Sequence, residues 1–312
     1  MSDRPLLSIV TPCYNEEENV DELYSQIKAA IVAQMKYEFE LIFIDNHSQD
    51  GTVAKLKKLA ASDPMVKIIV NTRNFGHIRS PYYGILQSRG LATIYLASDL
   101  QDPPELITEF IHYWEEGYKL VMAVKPVSKG VVWIHALRKA YYRFLDGISD
   151  ITLVADATGF GLYDREVLDH LRKIDDPYPF LRGLICELGY EIKTIPFAQP
   201  RRLRGISKNN LYTLYDIAML GIVSHSKVPI RIAAFMGFAL GAISMLVAIV
   251  FIVLKLIFWS SFPLGIAPVV IGLFFLFGIQ LMFIGILGEY IGSIHSYLQR
   301  RPVVVEKERI NF

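Results

Sequence analysis

Strand-like apolar runs and helix-period stripes alternate along the first part of the chain. "LLSIVTPCYN" opens with an apolar run, Leu6–Val10, that stops at Thr-Pro, and Val20, Leu23, Ile27 and Ile31 then recur at helical spacing. Phe39–Ile44 predicts a second strand ending on Asp45, and "TVAKLKKLAASD" predicts a helix. "VKIIVNT" is a third strand, and "IRSPYYGILQSRG" is helical with Pro81 suited to its first turn. "ATIYLAS", "PELITEFIHYWEEG" and "KLVMAVKP" continue as strand, helix and strand. The strands are continuous apolar runs rather than alternating ones. Together with the βα rhythm, this predicts an α/β domain with a parallel sheet covered on both faces.

Polar residues interrupt this pattern at particular places. In "IYLASDLQDPPELI" a buried-type strand runs directly into Asp99, Gln101 and Asp102. Oxygen donors at the carboxyl end of a strand suit a metal or phosphate site, since ligands of open α/β sheets bind there. The same residues also suit a plain turn, with Asp102-Pro103-Pro104 leading into a helix near Glu105. Two further strand ends, Thr11–Glu16 and Asp45–Asp50, carry matching polar clusters. Three clusters at one predicted edge favour a site over three unrelated solvated loops.

The pattern changes after Ile230. Residues 232–254 and 262–288 contain no charged side chain. Each is long enough to cross a bilayer core, for which roughly 20 apolar residues suffice. Lys227 and Arg231 precede the first run, and Arg300, Arg301, Lys307 and Arg309 follow the second. The positive-inside rule places both flanks, and so both termini, in the cytoplasm. Residues 211–229 carry an apolar stripe, Leu211, Leu214, Tyr215, Ala218 and Ile222, that suits either an interfacial helix or one packed on the domain. The tail after residue 291 suits an edge strand or contact with a neighbour. The layout is therefore 1–210 as a cytoplasmic domain, 211–229 as a juxtamembrane helix, 230–290 as two spans and 291–312 as a tail.

Composition adds bounds. A formal net charge of +1 offers no field for nucleic acid. Cys13 and Cys186 lack metal-type spacing, which fits a reducing compartment. The N-terminal "MSDRPLLSIVTPCYNEEEN" does not read as a signal peptide.

The segments "SIVTPCYNEEEN", "IDNHSQDGT", "NTRNFGH", "SDLQDPPELI" and "QPRRLRGISKNN", in this order and followed by two apolar runs, resemble the family-2 inverting glycosyltransferases that act on polyprenyl phosphates. That branch includes dolichol-phosphate mannose synthase and the bacterial undecaprenyl-phosphate glucosyltransferases. The resemblance implies a GT-A (Rossmann-like) nucleotide-sugar-binding domain followed by two C-terminal transmembrane helices. It implies transfer of a sugar from a nucleoside diphosphate, UDP in the bacterial branch, to undecaprenyl phosphate, with Mg2+ or Mn2+. It further implies the bacterial inner membrane, a role in decorating surface glycan or lipid, and a homo-oligomer, a tetramer among the options. Carried over by position, Pro12, Tyr14, Asn15, Glu16, Asp45, Asn46, Arg73, Ser98 and Asp99 line the nucleotide-sugar pocket, with Asp99 and Gln101 on the metal. For Arg73, a surface ion pair is the competing reading.

The sequence departs from the family pattern at three places. Ala97 stands at the first acid of Asp-x-Asp, and Asn46 at the second acid of the strand-two motif. In "DATGFGLYDRE", Gly159 and Gly161 replace the Asp and Arg of "Gly-Asp-Phe-Arg-Leu", which leaves Asp156 as the nearest catalytic acid, with a loop or capping role as its alternative. A phosphate acceptor needs little general base, because its second pKa is about 6 and it is already anionic at neutral pH. Arg201, Arg202, Arg204, Ser207 and Lys208 form a basic loop before the first apolar run. Guanidinium forks match phosphate oxygens, so this loop suits the acceptor phosphate, with general lipid-headgroup attraction as the alternative. Two competing functions remain: a polysaccharide synthase, for which the Trp-containing acceptor motif is missing, and a non-catalytic nucleotide-sugar- or lipid-binding scaffold.

Overall fold

The computed structural model describes residues 4–125, 154, 157–200, 228–258, 266–299 and 301–312. Asp156, the basic residues Arg201, Arg202, Arg204, Ser207 and Lys208, and the predicted juxtamembrane helix up to residue 227 lie outside the described residues.

Among the described residues, eight strands form one sheet: β1 (Leu6–Cys13), β2 (Glu38–Asp45), β3 (Val66–Asn71), β4 (Ala92–Tyr95), β5 (Leu120–Val124), β6 (Ala157–Asp164), β7 (Ile192–Pro196) and β8 (Glu306–Ile310), in the order β7-β5-β6-β4-β1-β2-β3-β8. β4, β1, β2 and β3 pair in parallel, as their continuous apolar runs predict. The expectation of a wholly parallel sheet is corrected, however. β6 lies antiparallel between β4 and β5, and β8 is antiparallel to β3. β6 eluded the pattern because its "ATGFGLYD" contains two glycines, which strand interiors disfavour. At Gly161 the glycine is required: an added Cβ would meet the Val121 carbonyl oxygen at 2.2 Å.

Both sheet faces are covered. Leu7, Ile9, Leu41 and Phe43 face one way, toward α1 (Val20–Val32), α2 (Thr52–Ser62) and α4 (Leu106–Glu115). Val10, Ile42, Ile44 and Ile69 face the other, toward α3 (Gly76–Leu86), α5 (Arg165–Arg172) and α6 (Leu181–Glu187). Alternate residues of each strand feed opposite cores, which is why no polar face interrupts the runs. α3 begins at Gly76, so Pro81 sits inside the helix and not in its first turn. It therefore lacks the N–H that would bond one turn back.

The tail completes the sheet's edge as β8. Thr72 N–H donates to the Val305 carbonyl at 3.0 Å, and Asn311 Nδ2 donates to the carbonyls of Ala60 and Val66. Of the two outcomes expected for the tail, the edge strand is the one seen. Before it run two long helices, α7 (Val228–Ile257) and α8 (Ile266–Leu298). Phe235, Phe238, Leu281 and Leu298 on them are exposed. Among the described residues, Phe275–Leu298 is the stretch long and apolar enough to cross a membrane, while α7 contributes a shorter apolar stretch, Val228–Ile243.

Candidate active site at the carboxyl edge of the sheet

The polar clusters after β1, β2 and β4 come together. β1 and β2 pair in register to Cys13 and Asp45, so their following loops start side by side. Asn46 N–H donates to the Cys13 carbonyl at 2.8 Å. Asn15 N–H donates to Ser48 Oγ, and Gln49 N–H returns a bond to Asn15 Oδ1, both at 2.8 Å. Glu16 N–H donates to Thr52 Oγ1 at 2.9 Å, and the Glu16 carboxylate accepts from Asn19 Nδ2 at 2.6 Å. From the β4 side, Ser98 Oγ donates to the Pro12 carbonyl at 2.7 Å. These bonds join Pro12, Asn15, Glu16, Asp45, Asn46 and Ser98 into one edge.

The backbone at this edge is unusual. Among the described residues, the non-glycine residues with positive φ include Asn15 at 56°, His47 at 68° and Leu100 at 58°, one in each of the three turns. Asn visits this left-handed region readily, but Leu does so at a cost of about 1–2 kcal/mol. Such conformations cluster at functional sites, where the surrounding structure holds them.

Asp45 is fully buried. Its Oδ2 accepts from Ser48 N–H at 3.0 Å, but its Oδ1 has no hydrogen-bond partner among the described residues. Burial pushes its pKa up, against the lowering effect of the bonds from Ser48. A buried acceptor left open is an acceptor in need of a donor.

The two acids of the β4 turn are placed differently. Asp102 is buried and accepts from Ala97 N–H at 2.9 Å, closing the turn that leads through Pro103-Pro104 into α4. Burial, with the Asp99 charge adding to it, raises its pKa to about 6. Asp99 accepts from Gln101 N–H at 3.2 Å, and Gln101 Nε2 donates to the Pro200 carbonyl at 3.2 Å. That bond engages the amide nitrogen, so the side-chain carbonyl oxygen of Gln101 is its atom of the type that binds a cation. Among the described residues, no three His, Cys, Asp or Glu side chains gather into a metal cluster. One carboxylate and one amide oxygen fit Mg2+ or Mn2+ in the mode where most ligands are substrate phosphates and water.

Two further predicted residues have partners of their own. Asn46 is a hub whose side chain is engaged on both ends. Its Nδ2 donates to Asn74 Oδ1 and the Gly76 carbonyl, and its Oδ1 accepts from Asn71 Nδ2 and Phe75 N–H. An Asp here would forfeit both donated bonds, which accounts for Asn in place of the family's acid. Arg73 stacks on Phe75 with its guanidinium 4.1 Å from the ring centroid, and lines a separate cavity with residues at the end of α8.

Sequence reasoning missed Asn71, Asn74 and Ser80, which hold the Asn46 hub. A fully buried Asn71 at the end of an apolar strand was the available signal. It also missed a cavity of about 100 Å³ lined by His77, Tyr95, Thr158, Gly159, Phe180 and Arg182. Tyr163 Oη donates to the Gly159 carbonyl at 2.6 Å, and Arg182 donates to the Ala157 carbonyl at 2.9 Å. Gly159 has φ +93°, and among the described residues an added Cβ would meet only the Tyr95 ring, at 3.7 Å. The position is glycine for its backbone, not for lack of space.

Residues 8–172 match the model of the glycosyl transferase family 2 domain. The chain is 35% identical over 306 residues to the uncharacterized glycosyltransferase YkcC of Bacillus subtilis, covering 98% of this chain and 94% of that one. It is 31% identical over 311 residues to the SfII prophage-derived bactoprenol glucosyl transferase of Shigella flexneri, covering 97% of each. Among solved structures, it is similar to glucosyl-3-phosphoglycerate synthase from Mycobacterium tuberculosis with Mn2+, UDP and glucosyl-3-phosphoglycerate, at 17% identity and a TM-score of 0.48 over 70% of this chain and 78% of that one. On the family match and the full-length relatives, the chain belongs to glycosyl transferase family 2 and is a glycosyltransferase with a GT-A-like α/β fold built on a mixed sheet.

Proposed function

We propose that this glycosyltransferase moves a sugar from a UDP-sugar to a polyprenyl phosphate, undecaprenyl phosphate in a bacterium, at the cytoplasmic face of the membrane. The observation that carries the reading is the carboxyl edge itself: three polar turns held together, each with a left-handed residue, around the open acceptor of buried Asp45. The imide N–H of a uracil is a donor of the kind Asp45 Oδ1 needs. Relatives matched over nearly the whole chain, among them bactoprenol glucosyl transferases, support the lipid acceptor.

Asp99 and Gln101 are the residues to hold Mg2+ or Mn2+, which neutralises charge developing on the departing diphosphate. The Asp99 charge already disfavours a second charge on Asp102. That is the local field into which a cation fits. Pro12, Asn15, Glu16 and Ser98 shape the wall beside the nucleotide, and their bonds across the three turns fix it before substrate arrives. The acceptor phosphate oxygen is anionic at neutral pH, so the barrier falls chiefly through positioning and charge stabilisation. Loss of an acid at Gly159 is compatible with that chemistry. The basic loop of Arg201, Arg202, Arg204, Ser207 and Lys208 is assigned to the acceptor phosphate, and Asp156 remains a candidate for a supporting acid. Two membrane spans, cytoplasmic termini and a homo-oligomer complete the reading.

The test is mass spectrometry of lipids formed when the purified protein meets undecaprenyl phosphate, Mg2+ or Mn2+ and a mixture of sugar nucleotides. A lipid heavier by one sugar, formed by the wild type and not by Asp99→Asn, is the expected result. No product from folded protein beside an active family member would turn the reading toward the scaffold.

A further inference from the structure

We infer that the cleft between the start of α3 and the end of α8 binds a phosphate group, at a site separate from the carboxyl edge of the sheet. The cleft has a volume of about 360 Å³ and is lined by Arg73, Arg79 and Arg301, with Thr72, Ser296 and Gln299 as further polar groups. Among the described residues, none that lines it is a carboxylate. The adjoining acids in sequence have other partners: Asp176 accepts from Tyr178 N–H at 2.8 Å, and Glu306 accepts from Tyr83 Oη at 2.8 Å and pairs with Arg309.

Two of the guanidiniums are laid against aromatic rings. Arg73 stands 4.1 Å from the Phe75 centroid, and Arg79 stands 5.0 Å from that of Tyr178. Arg73 Nη1 donates to the Asn74 carbonyl at 3.1 Å, and stacking leaves the remaining in-plane N–H groups of a guanidinium able to reach a planar or tetrahedral oxyanion. Arg79 Nε is buried and has no hydrogen-bond partner among the described residues. A buried donor on a cation is costly to leave unmade, so a ligand that accepts from it resolves the cost. The end of α8 works against an anion, since a helix carries about half a negative charge at its carboxyl terminus. Three whole positive charges outweigh that half charge.

The place of the cleft narrows the source of the phosphate. Ser296 and Gln299 belong to the last turn of the apolar stretch Phe275–Leu298 and the residue just beyond it. If that stretch spans the bilayer, the cleft opens at headgroup level. Phosphate is thus brought either by a lipid headgroup or by a soluble phosphate. The cleft shares none of Pro12, Asn15, Asp45 or Asp99.

The test uses the full chain in detergent micelles and reads binding directly, so it is independent of whether sugar transfer occurs. Short-chain phosphatidic acid is compared with diacylglycerol of the same chains, and inorganic phosphate is titrated by equilibrium dialysis. Wild type is expected to prefer phosphatidic acid, with about tenfold weaker binding in Arg79→Gln and in Arg301→Gln, and an intermediate loss in Arg79→Lys. Competition by inorganic phosphate would identify a site open to soluble phosphate; preference for phosphatidic acid without competition would identify a headgroup site. Equal binding of phosphatidic acid and diacylglycerol, or phosphate binding unchanged in the Arg79→Gln/Arg301→Gln double variant, would overturn the inference. Should Arg79→Gln fail to fold, the exposed Arg301→Gln gives the same readout.

Discussion

The two edges of the sheet bury the same chemical group to opposite ends. At the amino edge, Glu40 on β2 is buried and fully engaged. Its carboxylate accepts from Ser8 Oγ, from Arg89 N–H at 2.7 Å and from Lys67 Nζ at 2.6 Å, while Ser8 Oγ accepts from Gly90 N–H at 2.9 Å. Burial alone would raise the Glu40 pKa, but the bonds from Lys67, Ser8 and Arg89 overcome it and hold the carboxyl below its ordinary range. At the carboxyl edge, Asp45 at the other end of the same strand keeps one oxygen unpartnered among the described residues, and burial wins. A satisfied buried carboxylate ties β1, β2, β3 and the turn before β4 together. An unsatisfied one stores binding capacity at a cost in stability. The left-handed residues Asn15, His47 and Leu100 gather at the carboxyl edge, so strain and open valence coincide there.

The comparison can be broken most forcefully at Glu40. Glu40→Ala leaves Lys67 without its buried partner and is expected to cost about 3–5 kcal/mol, measured as a fall in the unfolding midpoint. Turnover per folded molecule should hardly change. A Glu40→Ala protein with native stability would end the claim that this edge is structural.

Asp99→Asn probes the other edge. Turnover is expected to fall roughly a hundredfold or more while the melting temperature stays put. Equal losses of stability and turnover would make Asp99 a structural residue like Glu40.

Gly159→Asp restores the acid common in the family but forces a side chain to φ +93°. The expected outcome is a loss of about 1–2 kcal/mol in stability without a gain in transfer rate. A faster enzyme would show that the missing acid limits the chemistry.

Asp45→Asn keeps one accepting oxygen for Ser48 and removes the buried charge. Stability is expected to stay within about 1 kcal/mol, while UDP binding, read by calorimetry, weakens about tenfold.

The smallest effect is in pH. Because the Glu40 pKa is lowered on folding, its contribution is present above the ordinary carboxylate range and is lost as pH falls through the folded value. Asp45 has the opposite sign. Its penalty is absent below the ordinary carboxylate pKa and appears as pH rises through the raised folded value. Thermal midpoints across the acid range should therefore flatten in Glu40→Gln on the acid limb and improve in Asp45→Asn toward neutral pH.

Much of the carboxyl edge was legible before any coordinates. Apolar runs that end in Thr-Pro, Asp45 and Asp99 mark strands whose buried length is set locally, and the βα rhythm brings their ends to one side of a sheet. The length of the charge-free runs 232–254 and 262–288 likewise marked the long apolar helices, because hydrophobicity is a property of neighbouring residues. The antiparallel insertion of β6 was not legible, since strand partners are chosen by distant packing and its glycines weaken the local signal. The engagement of Asn46 by Asn71, Asn74 and Phe75, the open oxygen of Asp45 and the shared cleft of Arg73, Arg79 and Arg301 were not legible either. Sequence determined which residues carry hydrogen-bonding capacity and charge. Tertiary structure alone decided which of that capacity is spent internally and which is left for a ligand, because satisfaction of a buried polar atom depends on neighbours that the chain brings from far away.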